Sequence, residues 1–167
     1  SHKDRTPEIA DECERKYPGI CRAVHQENGG HGAAVNAGIK NATGLFFKVV
    51  DSDDWVDKDM YRTMYEKAIT EKLDYVLCHS IYYSDGQAHR KVTDPISEDK
   101  MKFIADMLYC STTVSLWNRL VKREIYNTPE FLFPTNHMME DKAYAVQIAY
   151  YSGRYGYVDG SYYYYYQ

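Results

Sequence analysis

This sequence lacks a long apolar run, a CxxC pair and a basic cluster, and each absence excludes a class of protein. No apolar segment approaches the roughly 18 residues of a membrane-spanning helix. Lysine and arginine are scattered and the net charge is -4, so no nucleic-acid partner is expected. The widely spaced cysteines do not suggest structural zinc, and reduced thiols in a cytoplasmic protein are the default interpretation. They are Cys13, Cys21, Cys78 and Cys110.

The most informative stretch is residues 44–57, where an apolar run ends in a group of carboxylates. Residues 45–50 read Leu-Phe-Phe-Lys-Val-Val, which predicts a strand buried on both faces as in a parallel sheet. Asp51, Asp53 and Asp54 follow it. Repelling carboxylates are usually held together around a cation or against a hydroxyl-rich ligand. Because ligands bind beyond the carboxyl ends of strands in open α/β sheets, we expect a divalent metal and a phosphorylated ligand here.

The first half of the chain alternates between predicted helices and predicted strands. This order and the length predict one α/β domain, a mainly parallel layered sheet with flanking helices. Thr6 is the predicted N-cap of the first helix, and Asp57 caps the third, whose apolar stripe includes Met64 and Ile69. The elements are a helix from residue 6 to Pro18, a strand over 20–25, a helix over 33–42, the strand over 45–50, a helix over 57–72 and a strand over 74–80.

The second half is predicted in less detail. Residues 84–87, Ser-Asp-Gly-Gln, indicate the turn of a hairpin, and residues 97–109 and 140–151 have helical spacing. Residues 117–125 mix strand and short-helix signals, and residues 155–166 predict one or two strands. Tyrosine occurs 18 times, which fits either a core with satisfied hydroxyls or a polar sugar-like site.

Several motifs in order resemble a known family. Residues 28–39, 42–44 and 51–54 are similar to the inverting family 2 glycosyltransferases with a GT-A type fold, and residues 117–123 with Glu140-Asp141 resemble acceptor-side segments of bacterial members that build surface polysaccharides. The resemblance covers nearly the whole chain. It implies a nucleotide-diphospho-sugar transferase domain over residues 1–167, with the donor- and metal-binding part in 1–80 and the acceptor-side part in 81–167.

One part of the family pattern is absent from this sequence. Such enzymes open with a strand, a helix and a second strand that hold the nucleotide base, and nothing here matches that opening. We therefore predict a GT-A type fold truncated at the N-terminus, with base recognition outside this chain.

The resemblance also assigns the donor side. It implies that the acidic cluster is a DXD-type motif in which Asp53 and Asp54 lie nearest a Mn or Mg ion, with Asp51 toward the ribose or donor sugar. Asp53 is also expected to contact the donor. The glycine-rich loop is implied to lie beside the nucleotide sugar, although such a loop alone is equally a flexible connection. Its predicted donor contacts are Asn28, Gly30, Gly32 and Asn36.

On the acceptor side, the resemblance implies that an acidic pair supplies the catalytic base. Asp141 is the candidate base and Glu140 the next, whereas the structural alternative is two acids that favour the N-terminal end of a helix dipole. Trp117 is predicted to be an acceptor-binding platform, with ordinary core packing as the alternative.

These expectations describe one reaction and two rivals. The reaction is inverting transfer of a sugar from a nucleotide-diphosphate sugar to a hydroxyl of a glycan or lipid-linked acceptor. We expect it in cell-surface polysaccharide synthesis, in the cytoplasm or at the inner face of the membrane. The first rival is a non-catalytic glycan- or partner-binding module derived from a transferase core. A phosphoryl-transfer enzyme ranks third because no P-loop lysine motif is present.

Overall fold

A computed structural model describes residues 4–84, 86–91, 97–109, 115–131, 134–135 and 140–166. The helices in this part of the chain are α1 (Thr6–Lys16), α2 (Gly30–Asn41), α3 (Met60–Thr70), α4 (Lys100–Tyr109) and α5 (Glu140–Tyr151). The strands are β1 (Phe46–Phe47), β2 (Trp55–Val56), β3 (Tyr75–Ser84), β4 (Gln87–Lys91), β5 (Arg119–Lys122) and β6 (Tyr155–Tyr166). A 3-10 helix, Arg123–Asn127, follows β5.

The strands form one sheet in the order β1-β5-β3-β6-β2, with β4 paired to the far part of β3. The predicted α/β class with flanking helices is confirmed, and so is the hairpin, because Ser84 pairs with Gln87. The sheet is mixed rather than mainly parallel: β3 and β6 are parallel, and the other pairings described are antiparallel. Hydrophobic patterning determines which face a side chain occupies, but it does not determine the direction of the neighbouring strand.

The central strand β3 separates two apolar cores. Tyr75 and Leu77 lie in the core that contains α5, and Val76 and Cys78 lie in the core that contains α3. All four are fully buried, which follows from the period of two in a strand covered on both faces. The predicted buried strand over residues 74–80 is therefore confirmed.

Two predicted strands differ from the structure. Residues 20–25 form no strand. Cys21 makes an isolated bridge to Pro18, and Ile20 and Val24 are exposed. The strand predicted over residues 45–50 is reduced to β1, and Leu45 is 66% exposed. Its burial on both faces was a wrong prediction because β1 lies at the end of the described sheet and pairs with β5 alone.

Helix boundaries also shift. α1 has Arg5 at its N-cap without a side-chain bond, so Thr6 is its first residue rather than its cap. α3 begins later than predicted, although the Asp57 carboxylate accepts a hydrogen bond from the Asp59 N–H at 2.8 Å. Among the described helices, none is long and apolar enough to cross a membrane.

The predicted stripe of α3 divides into a buried row and an exposed row. The buried residues are Met60, Met64 and Ala68, whereas Tyr65 and Ile69 are 45% and 48% exposed. The buried row repeats every four residues, so it defines a narrower contact face than the sequence pattern indicated.

The two rows of α3 make different predictions for stability. Met64→Ala should reduce the free energy of unfolding by about 2–5 kcal/mol because it leaves a cavity in a closed core. Ile69→Ala, on the same helix, should cost less than about half of that because half of its surface already meets water. Urea unfolding of both variants measures the difference, and equal losses would show that α3 is rotated about its axis.

Candidate active site

A cavity of about 520 Å³ lies between α2 and the segment that runs from β1 into residues 51–54, here called the acidic turn. One face of α2 forms a wall, with residues spaced three or four apart as helical geometry requires. The acidic turn forms the opposite wall. The lining residues are His31, Ala34, Val35, Gly38, Phe47, Lys48, Val49, Val50, Asp51, Ser52 and Asp53.

His31 connects the two acidic motifs that are far apart in the sequence. Its Nε2 atom lies 3.5 Å from Asp51 Oδ1, and its Nδ1 atom lies 3.2 Å from Glu140 Oε1. His31 lies in the first turn of α2, and Glu140 is the first residue of α5. The carboxylates predicted for the donor side and the acidic pair predicted to supply the catalytic base therefore belong to one site.

Asp51 has a raised pKa. Burial of the carboxylate is the main cause of this rise. The nearby imidazole of His31 opposes it, and the negative charges of Asp54 and Asp53 add to it. A carboxylate cluster with little compensating positive charge attracts a cation.

The pKa of Asp141 is also raised. Burial contributes most, and the neighbouring negative charge of Glu140 comes next. One of its oxygens, Oδ1, is buried and has no hydrogen-bond partner among the described residues. The carboxylate is thus more basic than an exposed aspartate.

Tyr163 holds the acidic turn in place. Its hydroxyl donates a hydrogen bond to Asp54 Oδ2 at 2.6 Å and accepts one from the Asp51 N–H at 3.1 Å. The second Asp54 oxygen accepts a hydrogen bond from the Tyr166 N–H at 3.1 Å. Burial and the hydrogen bond to Asp54 raise the pKa of Tyr163, so its hydroxyl stays protonated. Asp54 consequently anchors the turn to β6.

Lys48 is a partly buried lysine just before the same turn. Its ammonium group donates a hydrogen bond to the Trp117 carbonyl and lies 5.0 Å from the centre of the Tyr163 ring. Burial of the ammonium group lowers the pKa of Lys48 to about 8, and electrostatic interactions with Cys78 and Asp51 limit that fall. The side chain ties the strand end before the acidic turn to the segment before β5.

The predicted donor residues fall into two groups. Asp51 and Asp53 line the cavity, and Asp53 is exposed. The other predicted contacts are not among the lining residues: Asn28 precedes α2, Gly30 and Gly32 lie in its first turn, and Asn36 lies in its middle. Asn28 instead accepts a hydrogen bond from the Gly30 N–H at 3.1 Å, and Gly30 has a φ of 79° that favours glycine. Gly32 is buried within the helix.

The acceptor-platform prediction for Trp117 is corrected. Trp117 is only 7% exposed and its ring stacks on Tyr163 and Tyr165, with centroid distances of 4.5 Å and 5.4 Å. A side chain enclosed in this way cannot present its face to an acceptor, so core packing is its role.

Sequence reasoning missed three residues of the site. His31 was visible only as part of a glycine-rich loop, Lys48 as the one charge in an apolar run, and Tyr163 as one of five consecutive tyrosines. A charged residue inside an otherwise apolar run was the available signal for Lys48, since burial of an unpaired charge is costly.

The Tyr163 hydroxyl should contribute measurably to stability. Tyr163→Phe leaves a carboxylate oxygen and a backbone N–H without their partner, which should reduce the free energy of unfolding by about 1–3 kcal/mol. Tyr166→Phe, at the exposed end of β6, is the matched control and should change it by less than about 0.5 kcal/mol. Urea unfolding tests both, and an unchanged Tyr163→Phe variant would remove the anchoring role.

A second cavity, of about 510 Å³, lies between β1 and α3. Its described lining residues are apolar and aromatic side chains with Arg62, and no carboxylate is among them. The cavity beside α2 is the candidate site because it is the one that brings Asp51 and Asp53 together with His31.

Comparison with known sequences identifies the family. The model of the family described as Glycosyl transferase family 2 matches residues 1–146. The chain is 31% identical over 139 residues to the uncharacterized glycosyltransferase EpsJ of Bacillus subtilis, covering 78% of this chain and 39% of that protein. It is 32% identical over 134 residues to glycosyltransferase GlyG of Streptococcus pneumoniae, covering 73% of this chain and 44% of GlyG. The chain thus spans less than half the length of these relatives.

Solved structures share the fold. Staphylococcus aureus TarS 1–349 in complex with UDP-GlcNAc superposes with a TM-score of 0.75 at 19% identity, over 99% of this chain and 47% of that one. A second structure of TarS 1–349 gives a TM-score of 0.76 at 20% identity, over 98% and 48% of the two chains. This likeness confirms the predicted GT-A type fold. The family match over residues 1–146 and the sequence relatives show that the chain belongs to glycosyl transferase family 2.

Proposed function

We propose that this chain provides the reaction site of an inverting glycosyltransferase that moves a sugar from a nucleotide-diphosphate sugar to a hydroxyl of a glycan or lipid-linked acceptor. The observation that carries the proposal is the contact of one imidazole, His31, with Asp51 and with Glu140. A leaving-group site and a proton acceptor must lie on either side of the reacting carbon, and the two acidic motifs meet at His31, which lines this cavity.

The donor side is proposed to bind a nucleoside diphosphate through a Mn or Mg ion. Oxygen ligands suit both ions, and the exposed Asp53 carboxylate lines the cavity. Asp54 is proposed as the second ligand, although each of its oxygens already accepts a hydrogen bond. When bound, the metal would neutralise charge on the departing diphosphate. The complex of TarS with UDP-GlcNAc supports a nucleotide-sugar donor.

The donor contacts proposed around the ion involve the acidic turn and α2. Asp51 would hydrogen-bond to the ribose or the sugar, held in place by His31 and by its own N–H to Tyr163. Asn28, Gly30, Gly32 and Asn36 remain predicted contacts. For these contacts to form, the donor must extend beyond the cavity along α2.

The acceptor side is proposed to use Asp141 as the general base. Glu140 is engaged by His31, whereas Asp141 carries a raised pKa from burial and from Glu140. A base whose pKa is raised toward the working pH accepts a proton more effectively. Direct attack of the activated hydroxyl on the anomeric carbon inverts its configuration without a covalent sugar intermediate. A place in surface-polysaccharide synthesis, at the cytoplasmic face of the membrane, rests on the family resemblance alone.

Metal binding should depend on nucleotide. We expect weak Mn²⁺ binding without nucleotide and tighter binding with UDP present, because such sites borrow phosphate oxygens as ligands. The titration uses the chain preceded by the strand–helix–strand opening that the family resemblance implies. Asp53→Asn should abolish the gain from UDP without changing thermal stability, since Asp53 is exposed. Glu66→Gln on the exposed side of α3 is the control. Calorimetric titration decides: a UDP-dependent gain that survives in Asp53→Asn would exclude this residue as a ligand.

The base assignment is tested by Asp141→Asn. This change keeps the size of the side chain but removes the proton acceptor, so transfer should fall by about 10²- to 10⁴-fold while UDP binding is retained. The assay uses the chain preceded by the strand–helix–strand opening that the family resemblance implies. Glu140→Gln is the matched comparison on the same helix turn.

Three results would contradict parts of this proposal. Near-normal transfer by Asp141→Asn would move the base role to Glu140. A loss of only about 0.3–1 kcal/mol in stability with unchanged transfer would leave Asp141 as a helix-dipole residue. If the unmodified protein binds UDP but neither transfers sugar nor hydrolyses the donor, the glycan- or partner-binding module is favoured.

A further inference from the structure

Three side chains beside the acidic cavity have the composition and spacing of a transition-metal site. One ligand atom each from His31, Glu140 and Asp141 lies within 4.8 Å of the others. Ligand atoms around a metal with bonds of about 2.0–2.2 Å are roughly 3–4 Å apart, so small side-chain rotations are sufficient. This set does not include the predicted metal ligands Asp53 and Asp54.

The hydrogen bonds around His31 prepare it for metal ligation. Its Nδ1 atom faces Glu140, and its Nε2 atom lies 3.5 Å from the Asp51 carboxylate. Metal-binding histidines usually direct their second nitrogen at a carboxylate, which fixes the ring orientation and increases the basicity of the ligating nitrogen. Asp51 occupies that second position.

Asp141 supplies the other independent indication. Its Oδ1 atom is buried and has no hydrogen-bond partner in the described part of the chain. A buried unpaired carboxylate oxygen is costly, and a cation is the partner that would satisfy it. The His31 side chain is 42% exposed, which leaves a path for an ion to enter from solvent.

We propose that His31, Glu140 and Asp141 form a second divalent-metal site, selective for Zn²⁺ and chemically similar ions such as Co²⁺. One imidazole nitrogen with two carboxylates suits these ions, whereas Mg²⁺ prefers oxygen ligands throughout. Occupation of the site would also inhibit sugar transfer, because Asp141 bound to a metal cannot accept a proton. This inhibitory effect rests on the proposed function, whereas metal binding itself does not.

The test is titration of the protein with ZnCl₂ in the absence of nucleotide. His31→Asn removes the nitrogen ligand and should weaken Zn²⁺ binding by roughly tenfold or more, and Glu140→Gln should also weaken it. His25→Asn is the control, since His25 is an exposed histidine that pairs with Asp11 at 2.7 Å outside the cavity. Equal affinity in His31→Asn and the unmodified protein would overturn the proposal.

Spectra of the Co²⁺ complex identify the ligands independently of affinity. Imidazole and carboxylate ligands give weak visible d–d bands, whereas a strong near-ultraviolet thiolate band would assign the metal to a cysteine such as the exposed Cys13 and overturn the site. If Zn²⁺ binds through His31 but no transfer is detectable under any condition, the metal site stands and only the transferase proposal fails. If transfer is detectable and Zn²⁺ bound through His31 leaves it unchanged, the inhibitory role is wrong.

Discussion

The burial of β3 on both faces and its parallel pairing with β6 determine the position of the reaction site. β3 places Tyr75 and Leu77 in one core and Val76 and Cys78 in the other. The pairing with β6 brings Tyr163 opposite Ser80 and beneath the acidic turn. From there the Tyr163 hydroxyl bonds to both ends of the turn. The carboxylates are therefore positioned by a strand more than a hundred residues away, and not by local sequence alone.

The site concentrates negative charge that the chain itself only partly compensates. His31 lies between carboxylates of the two motifs, and the partly buried Lys48 donates a hydrogen bond to the Trp117 carbonyl. Burial and mutual repulsion nevertheless raise the pKa of Asp51 and of Asp141. An arrangement of this kind stores electrostatic energy that a bound cation releases. This is the physical reason why the proposed donor complex and the proposed second metal site both depend on divalent ions.

The sequence predicted the fold class and the acidic motifs well because these depend on local composition. The buried strand before Ser80 and the carboxylates after residue 50 could be identified from patterns of a few residues. Three features could not be identified in this way: the mixed strand directions, the exposure of Leu45 and the burial of Trp117. Each depends on which distant strand lies alongside. His31 was missed for the same reason: its partners Asp51 and Glu140 are brought to it only by the folded sheet.

The central claim is that a nucleoside diphosphate binds at the acidic turn through a divalent ion, with the start of α5 close beside it. Paramagnetic line broadening measures this directly, because a Mn²⁺ ion bound with UDP broadens an amide resonance more strongly the closer the amide lies to the ion. The account predicts the strongest broadening at residues 51–53, followed by residues 30–34 and the first turn of α5. Strongest broadening around Leu45, Tyr61 and Tyr65, which line the apolar cavity beside α3, would contradict it.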